Sequence, residues 1–198
     1  MKKFIPLLVI VGILAVLILP AIGQYNRIVG KQEAVDGQWG NVENVYQRRA
    51  DLIPNLVETV KGYAAHERET LEAVVAARAR ATQVQTELTP EAMNDPATLQ
   101  KFQAAQNELG SALGRLMVVV EKYPDLKANQ GFLDLQAQLE GTENRIAVER
   151  RRFNELAQSY NTSIRSFPMS MMAGMFGFAK KGYFEAAAGA EAAPAVKF

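Results

Sequence analysis

The sequence predicts an all-α protein with an N-terminal transmembrane helix, followed by an antiparallel up-and-down four-helix bundle. Residues 4–22 form a run of 19 without a charged or strongly polar side chain. Residues 24–167 carry apolar side chains at alternating spacings of three and four, the period of a helix, with almost no strand pattern. Apolar residues make up 48% of the 198 and charged residues 22%, which is enough to build a buried core.

The uncharged run at 4–22 is predicted to be a membrane anchor. As a helix it is about 28 Å long, close to the roughly 30 Å hydrocarbon core of a bilayer. A cleaved signal peptide is the alternative, because Lys2 and Lys3 precede the run and 21–23 resembles a cleavage site. The length of the run favours a retained anchor. The predicted anchor side chains are Phe4, Leu7, Leu8, Ile10, Ile13, Leu14, Leu17, Ile18 and Ile22.

The orientation of this anchor follows from the positive charges beside it. Lys2 and Lys3 lie on one side together with the amino terminus, and Arg27 and Lys31 lie on the other. Cytoplasmic flanks of membrane helices are enriched in Lys and Arg, and the balance here leans towards a cytoplasmic N-terminus. We therefore expect a single-pass protein whose helical domain is translocated across the membrane.

Three apolar seams predict the helices of the bundle. The first covers 35–63 and resumes at 74–84, the second covers 99–123 and the third 132–160. Seams of this kind pack helices side by side. Asp95 is a good N-cap for the second seam, because its side chain can accept a hydrogen bond from the first turn. The proline that follows it suits the first helical position. Turns containing proline separate the seams, at 89–96, 123–125 and 167–168.

Pro54 lies inside the first seam and allows two architectures. A break there, with Asp51 as N-cap, leaves four segments of about 28, 32, 28 and 38 residues, which match as a four-helix bundle. The alternative is a three-helix arrangement with one long helix kinked at Pro54. An unbroken helix is expected to leave its membrane-proximal half uncovered, including Trp39 and Tyr46. The matching lengths favour the break.

The chain divides into four parts on this reading. Residues 1–23 are the anchor, 24–168 the bundle, 169–184 a Met/Phe-rich segment, and 185–198 an alanine-rich, flexible tail. The third part is predicted to contact lipid or a neighbouring subunit near the membrane, because methionine adapts to irregular apolar surfaces. The side chains predicted to make this contact are Met169, Met171, Met172, Met175, Phe176 and Phe178.

Four polar residues stand at seam positions that normally hold apolar side chains. One interpretation is that their long side chains reach the edge of the bundle. The other is a buried polar layer that sets the register of the helices, with Arg49 and Glu149 as an ion pair. The predicted layer consists of Arg49, Gln106, Thr142 and Glu149.

The composition leaves little room for catalysis. Without cysteine there are no disulfides, zinc ribbons or thiol nucleophiles. His66 is the sole histidine, and Tyr63 stands where a di-iron motif needs glutamate. No serine-hydrolase elbow or phosphate-binding loop occurs, and a net charge of +1 gives no field for nucleic acid. We expect no catalytic, metal-binding or cofactor-binding residues and no nucleic-acid partner.

Five segments of the chain form a recognisable set: RRADLIPNLVETVKGYAAHERETLEAV at 48–74, YPDLKAN at 123–129, LEGTENRIAVERRRFN at 139–154, YNTSIRSFP at 160–168 and FGF at 176–178. With these segments the chain resembles the LemA family. The loop at 90–96 matches least. The resemblance implies a single-pass protein of the bacterial cytoplasmic (inner) membrane, an antiparallel four-helix bundle and no catalytic residues.

Two functions fit this pattern. The first is a non-catalytic, membrane-anchored scaffold that self-assembles into a homo-oligomer and whose partners are the lipid bilayer and its own copies. The second is an adaptor that presents its helical bundle to another membrane or envelope protein. Both need an anchor, a rigid bundle and uncovered apolar surface, and neither needs a cofactor.

Overall fold

The computed structural model describes residues 5–89 and 92–185. This part of the chain contains no strand, so the all-α prediction is confirmed. Two short 3₁₀ turns, Ala92–Asn94 and Met169–Met171, accompany the α-helices. The helices are α1 (Ile5–Tyr63), α2 (Arg68–Thr86), α3 (Pro96–Val120), α4 (Pro124–Lys127) and α5 (Gln130–Arg165).

The predicted anchor falls on the first turns of α1. Among the described residues, no helix is both long enough and apolar enough to cross a membrane. Phe4 lies outside the described residues, and so do the side chains of the predicted anchor residues from Leu7 to Ile18. The anchor residue whose side chain is described, Ile22, is exposed.

The predicted break at Pro54 is wrong. Helix α1 continues through Pro54 and ends at Tyr63, and the chain turns at residues 64–67 before α2 begins. A proline cannot donate a hydrogen bond to the carbonyl four residues earlier, which is that of Ala50. This carbonyl instead accepts a 2.7 Å hydrogen bond from Nε of Arg78 on α2. A side chain from the next helix therefore satisfies the group that would otherwise favour a break.

Removing this hydrogen bond is expected to matter only while Pro54 is present. We expect Arg78→Met to lower the free energy of unfolding by about 1–3 kcal/mol, because a half-buried carbonyl loses its donor. In a Pro54→Ala background the backbone N–H can bond to Ala50, and the same change is expected to cost only a few tenths. Urea unfolding of the four variants measures this coupling. Equal costs in both backgrounds would show that Arg78 does not compensate for the proline.

The four long helices α1, α2, α3 and α5 form the bundle, with the short α4 before α5. Helices α1 and α5 run antiparallel, since Lys31 near the start of the paired region bonds to Ser163 Oγ near the end of α5 at 2.6 Å. Helices α2 and α3 form a hairpin against the C-terminal half of α1. As predicted, Asp95 caps α3, accepting a 3.0 Å hydrogen bond from the N–H of Ala97.

The core has two parts, which cover successive stretches of α1. Apolar side chains of α2, α3 and α5 enclose Ile53, Leu56 and Val60. Around residues 28–46 of α1, the cover comes from α5, the start of α3 and the residues after α5. Trp39 and Tyr46 are therefore buried although α1 is unbroken. The expectation that they would be exposed is wrong, because Phe102 of α3 packs against both rings and Phe184, beyond α5, stacks on Trp39.

Candidate functional site

Residues 179–185, here called the strap, have no regular secondary structure. They lie across the part of the bundle that contains Asp36 and Trp39 of α1. Lys181 is bonded to Asn161, and Phe184 to Asn154, two turns earlier on α5. Seven helical residues rise about 10 Å, a distance that three residues cover only when the chain is nearly extended. The strap is thus an extended peptide that runs antiparallel to α5.

Three side-chain amides hold the main chain of the strap. Asn161 donates from Nδ2 to the carbonyl of Lys181 at 2.9 Å, and its Oδ1 accepts from the N–H of the same residue at 2.9 Å. Asn154 forms the equivalent pair with Phe184, both bonds at 2.8 Å. Gln103 on α3 does the same for Glu185, at 2.5 and 3.3 Å. Asn161 also donates from Nδ2 to the hydroxyl of Tyr183 at 2.9 Å. The bonds to main-chain groups are available to any residue except proline.

The side chain of Phe184 anchors the strap in an aromatic pocket. Its ring stacks on Trp39 with centroids 6.1 Å apart, and Phe153 meets it edge-on at 5.4 Å. Phe102 completes the pocket from α3 at 6.4 Å. Phe184 is only 5% exposed, although it lies beyond the last helix. The strap therefore supplies a central side chain of the core.

Two polar contacts fix the first half of the strap. Nζ of Lys181 forms a 2.8 Å ion pair with Asp36 on α1, and the lysine side chain is almost fully buried. The hydroxyl of Tyr160 donates a 3.0 Å hydrogen bond to the carbonyl of Ala179. Burial, and to a smaller extent the charge of Asp36, raises the pKa of Tyr160 to about 12. The hydroxyl thus stays protonated and remains a donor at neutral pH.

The predicted polar layer is partly present. The Arg49 guanidinium is buried, as one interpretation required, and contacts the side chain of Gln106 on α3. Its ion pair is with Glu143, at 2.5 Å, and not with Glu149. Thr142, also buried, bonds back to the carbonyl of Gln138 on its own helix at 2.7 Å. The layer that joins three helices is therefore Arg49, Gln106 and Glu143.

Glu149 lies too far along the bundle to reach Arg49. It accepts a 2.6 Å hydrogen bond from Nε2 of Gln38, which places these two residues opposite each other on α1 and α5. Arg49 lies about three turns further along α1. Because the helices are antiparallel, residues that face Arg49 come earlier on α5, where Glu143 lies. The expected pairing of Arg49 with Glu149 is wrong for this reason.

The side chains of the Met/Phe-rich segment divide into two groups. Met169 is buried in the core of its own chain, and Met172 and Phe178 pack against that core. These three therefore stabilise the bundle itself. Met171 and Met175 are 76% and 85% exposed, and Phe176 is 44% exposed. Phe176 also packs edge-on against Tyr25 of α1, with ring centroids 5.2 Å apart.

The exposed side chains share one end of the bundle, here called the apolar end. It is the end at which α1 continues towards residue 5, and its members lie on α1 and directly after α5. Single exposed apolar residues are common, but a group this close together on one end is unusual for a monomer. The apolar end consists of Ile22, Tyr25, Phe167, Met171, Met175 and Phe176.

No candidate metal site is present among residues 5–89 and 92–185, where no three His, Cys, Asp or Glu side chains are grouped closely enough to hold an ion. His66 is exposed in the turn between α1 and α2. The strap was not predicted from the sequence. Its signal is the sequence KGYFE at 181–185, a cluster of charged and aromatic residues before an alanine-rich stretch.

These observations define a class of protein: a helical bundle whose extended C-terminal strap completes its own core and whose apolar end is uncovered. The sequence profile of the LemA family matches residues 38–198, so the chain belongs to the LemA family. This confirms the resemblance noted in the sequence.

Three relatives are similar to this chain over most of its length. Magnetosome protein MamQ of Magnetospirillum gryphiswaldense is 29% identical in an alignment of length 175 that covers 81% of this chain and 64% of that protein. Magnetosome protein MamQ 2 of Paramagnetospirillum magneticum is 28% identical over 91% of this chain and 70% of its own length. Protein LemA of Metamycoplasma hominis is 23% identical over 84% of this chain and 71% of its own length. The chain thus spans about two thirds of the length of these curated relatives.

Proposed function

We propose that this protein is a non-catalytic scaffold, anchored in the bacterial inner membrane by residues 4–22, that self-assembles through its apolar end. The observation that carries the proposal is the position of the apolar end. It surrounds the point at which α1 leaves the bundle towards the uncharged N-terminal run. A surface of this kind is costly in water and favourable against the acyl chains at the membrane interface or the same surface of another copy.

The names of the relatives give a location or a family. The MamQ proteins are named for the magnetosome, and the third relative is named for the LemA family itself. A scaffold needs an anchor, a rigid body and a contact surface. The bundle offers the rigid body, and the apolar end offers a contact surface that the fold of the chain leaves uncovered.

The test is the native mass of the full-length chain in mild detergent. We expect a homo-oligomer, and we expect Phe167→Ser combined with Met171→Ser and Met175→Ser to reduce it to a much smaller species. Burial of each of these side chains favours association by about 1.5–3 kcal/mol before ordering costs. All three are exposed, so the fold itself is expected to be unaffected.

The matched control for this test replaces three exposed apolar residues on the helices with serine, at positions 118, 133 and 148. The control variant is expected to keep the wild-type mass. If the variant at the apolar end keeps it as well, the contact lies elsewhere. If the unmodified chain is already monomeric, self-assembly is wrong and the adaptor becomes the better proposal.

The anchor is proposed to leave the helical domain on the extracytoplasmic side. Thr86 is exposed at the end of α2 and suits a reporter cysteine, because the chain has none of its own. We expect Thr86→Cys to react with a membrane-impermeant maleimide in cells whose outer membrane, if present, is permeabilised. Labelling that requires lysis of the inner membrane would place the domain in the cytoplasm.

The adaptor remains the second candidate, and a groove between α1 and α2 favours it. Val57, Leu71, Val75 and Ala76 line this groove, which has a volume of about 620 Å³. Half of the surface of Val75 is exposed there. A partner helix could bury this face. The native-mass experiment separates the two candidates, because an adaptor is recovered in a mixed complex and a scaffold as copies of one chain.

A further inference from the structure

The groove that holds the strap has the features of a peptide-binding site. We call it the strap groove; its walls are α1, α3 and α5, and its contacts come from Asp36, Trp39, Phe102, Gln103, Asn154 and Asn161. The amides of Gln103, Asn154 and Asn161 bind the main chain, as a neighbouring strand does when a peptide adds to a sheet edge. The strap groove therefore binds the main chain of an extended peptide through side chains of the helices.

Two pockets of the strap groove bind side chains of the strap in addition to its main chain. Asp36 receives the ammonium group of Lys181, and the aromatic pocket receives the ring of Phe184 three residues later. The guanidinium of Arg150 covers the outer face of that ring, 4.8 Å from its centroid, and also bonds to the carbonyl of Glu185 at 2.8 Å. The ligand class is thus an extended peptide of the pattern Lys-x-x-Phe.

We infer that the strap groove binds the strap of a second copy, so that neighbouring copies exchange straps within the proposed homo-oligomer. This inference rests on the proposed self-assembly. Exchange keeps every contact of the strap groove, because each copy gives one strap and receives one, and it is therefore a low-cost route to an oligomer. No contact within the groove depends on which chain the strap belongs to.

Residues 166–168 are the hinge of such an exchange, because they join the end of α5 to a segment that moves together with the strap. Met169, Met172 and Phe178 pack against the core, and in an exchanged pair they pack in the same way against the core of the second copy. The hinge carries Phe167, and the segment after it carries Met171 and Met175 of the apolar end, which are largely exposed. In an exchanged pair the hinge crosses between the two copies and brings these apolar side chains to their shared interface.

A cysteine pair placed across the strap groove tests the exchange in the full-length protein. The side chains of Gln100 and Glu185 are both exposed, and their tips lie 3.5 Å apart. Gln100→Cys is made in one tagged chain and Glu185→Cys in a second chain with a different tag. The two chains are co-expressed and treated in membranes with a short bis-maleimide. The native chain has no cysteine, so no other thiol competes.

Strap exchange predicts a covalent dimer that carries both tags. Adding Phe184→Ala to the Glu185→Cys chain removes the anchor and is expected to lower the yield of this dimer at least about tenfold. A matched control moves the second cysteine to the exposed Val148 on α5, and we expect no mixed dimer from it. A single chain with both cysteines reports the pairing within one copy as a faster-migrating monomer.

The outcomes separate the exchange from the self-assembly on which it rests. A mixed dimer that depends on Phe184 supports the exchange. An oligomer by native mass that yields only the internally bridged monomer overturns the exchange and leaves self-assembly standing. A monomer by native mass overturns both. A mixed dimer whose yield is unchanged by Phe184→Ala reflects collision between chains and also overturns the exchange.

Discussion

Replacing Phe184 with alanine is expected to lower the free energy of unfolding by about 3–5 kcal/mol. The ring fills a pocket between Trp39, Phe102 and Phe153, and its loss leaves a cavity in the core and frees the strap. Trp39 is the sole tryptophan of the chain and stacks on this ring, so its fluorescence reports the change directly. Denaturant unfolding of the full-length protein in mild detergent measures the free energy.

Phe176 provides the matched control for this prediction. It is the same residue type in the same C-terminal segment, but it lies at the apolar end and is 44% exposed. Phe176→Ala is expected to cost about 1 kcal/mol or less, because little buried surface is lost. Comparable losses for the two variants would mean that the strap does not complete the core.

A second large loss of stability is expected when the buried guanidinium of Arg49 loses its hydrogen-bond acceptors. Replacing both Gln106 and Glu143 with leucine removes the acceptors that their side chains offer to its guanidinium. A buried charge without its partners is expected to cost about 3 kcal/mol or more in the free energy of unfolding. Adding Arg49→Met to this pair removes the charge and keeps most of the apolar stem, so most of the stability is expected to return.

Glu149→Gln is the control for the Arg49 prediction. Glu149 bonds to Gln38 and not to Arg49, and an amide oxygen still accepts that hydrogen bond. A change of less than about 1 kcal/mol is expected. If the Gln106 and Glu143 replacements also cost so little, the guanidinium is satisfied by water, and the layer does not contribute to the register of the helices.

Features of the fold that depend on residues close in sequence were predictable, and features that depend on distant residues were not. The cap at Asp95 and the helix ends near Val120 and Arg165 were predictable, because proline geometry and capping act within a few residues. The end of α1 at Tyr63 was not predicted. The turn at 64–67 contains neither glycine nor proline, and the stronger local signal, Pro54, pointed elsewhere.

The members of the polar layer could be predicted only in part from residue types. Seam positions marked Arg49 and Gln106 as members of a buried polar layer or as side chains that reach the edge of the bundle, and in the structure they are buried and bonded to each other. The acidic partner could not be chosen from periodicity, since Glu143 and Glu149 both lie on α5 and only the offset between antiparallel helices decides which one faces Arg49. Glu143 is half exposed, so no apolar pattern marks it as part of a core contact.

By itself, the sequence determined the all-α class, the LemA family and the course of the helical seams, because helix periodicity and capping depend on neighbours within one or two turns. Only the tertiary structure decided that α1 passes through Pro54, since Arg78 comes from the next helix to bond the freed carbonyl. It also decided that the strap belongs to the core. The strap has no helical period of its own, and the amides and rings that hold it lie on three different helices.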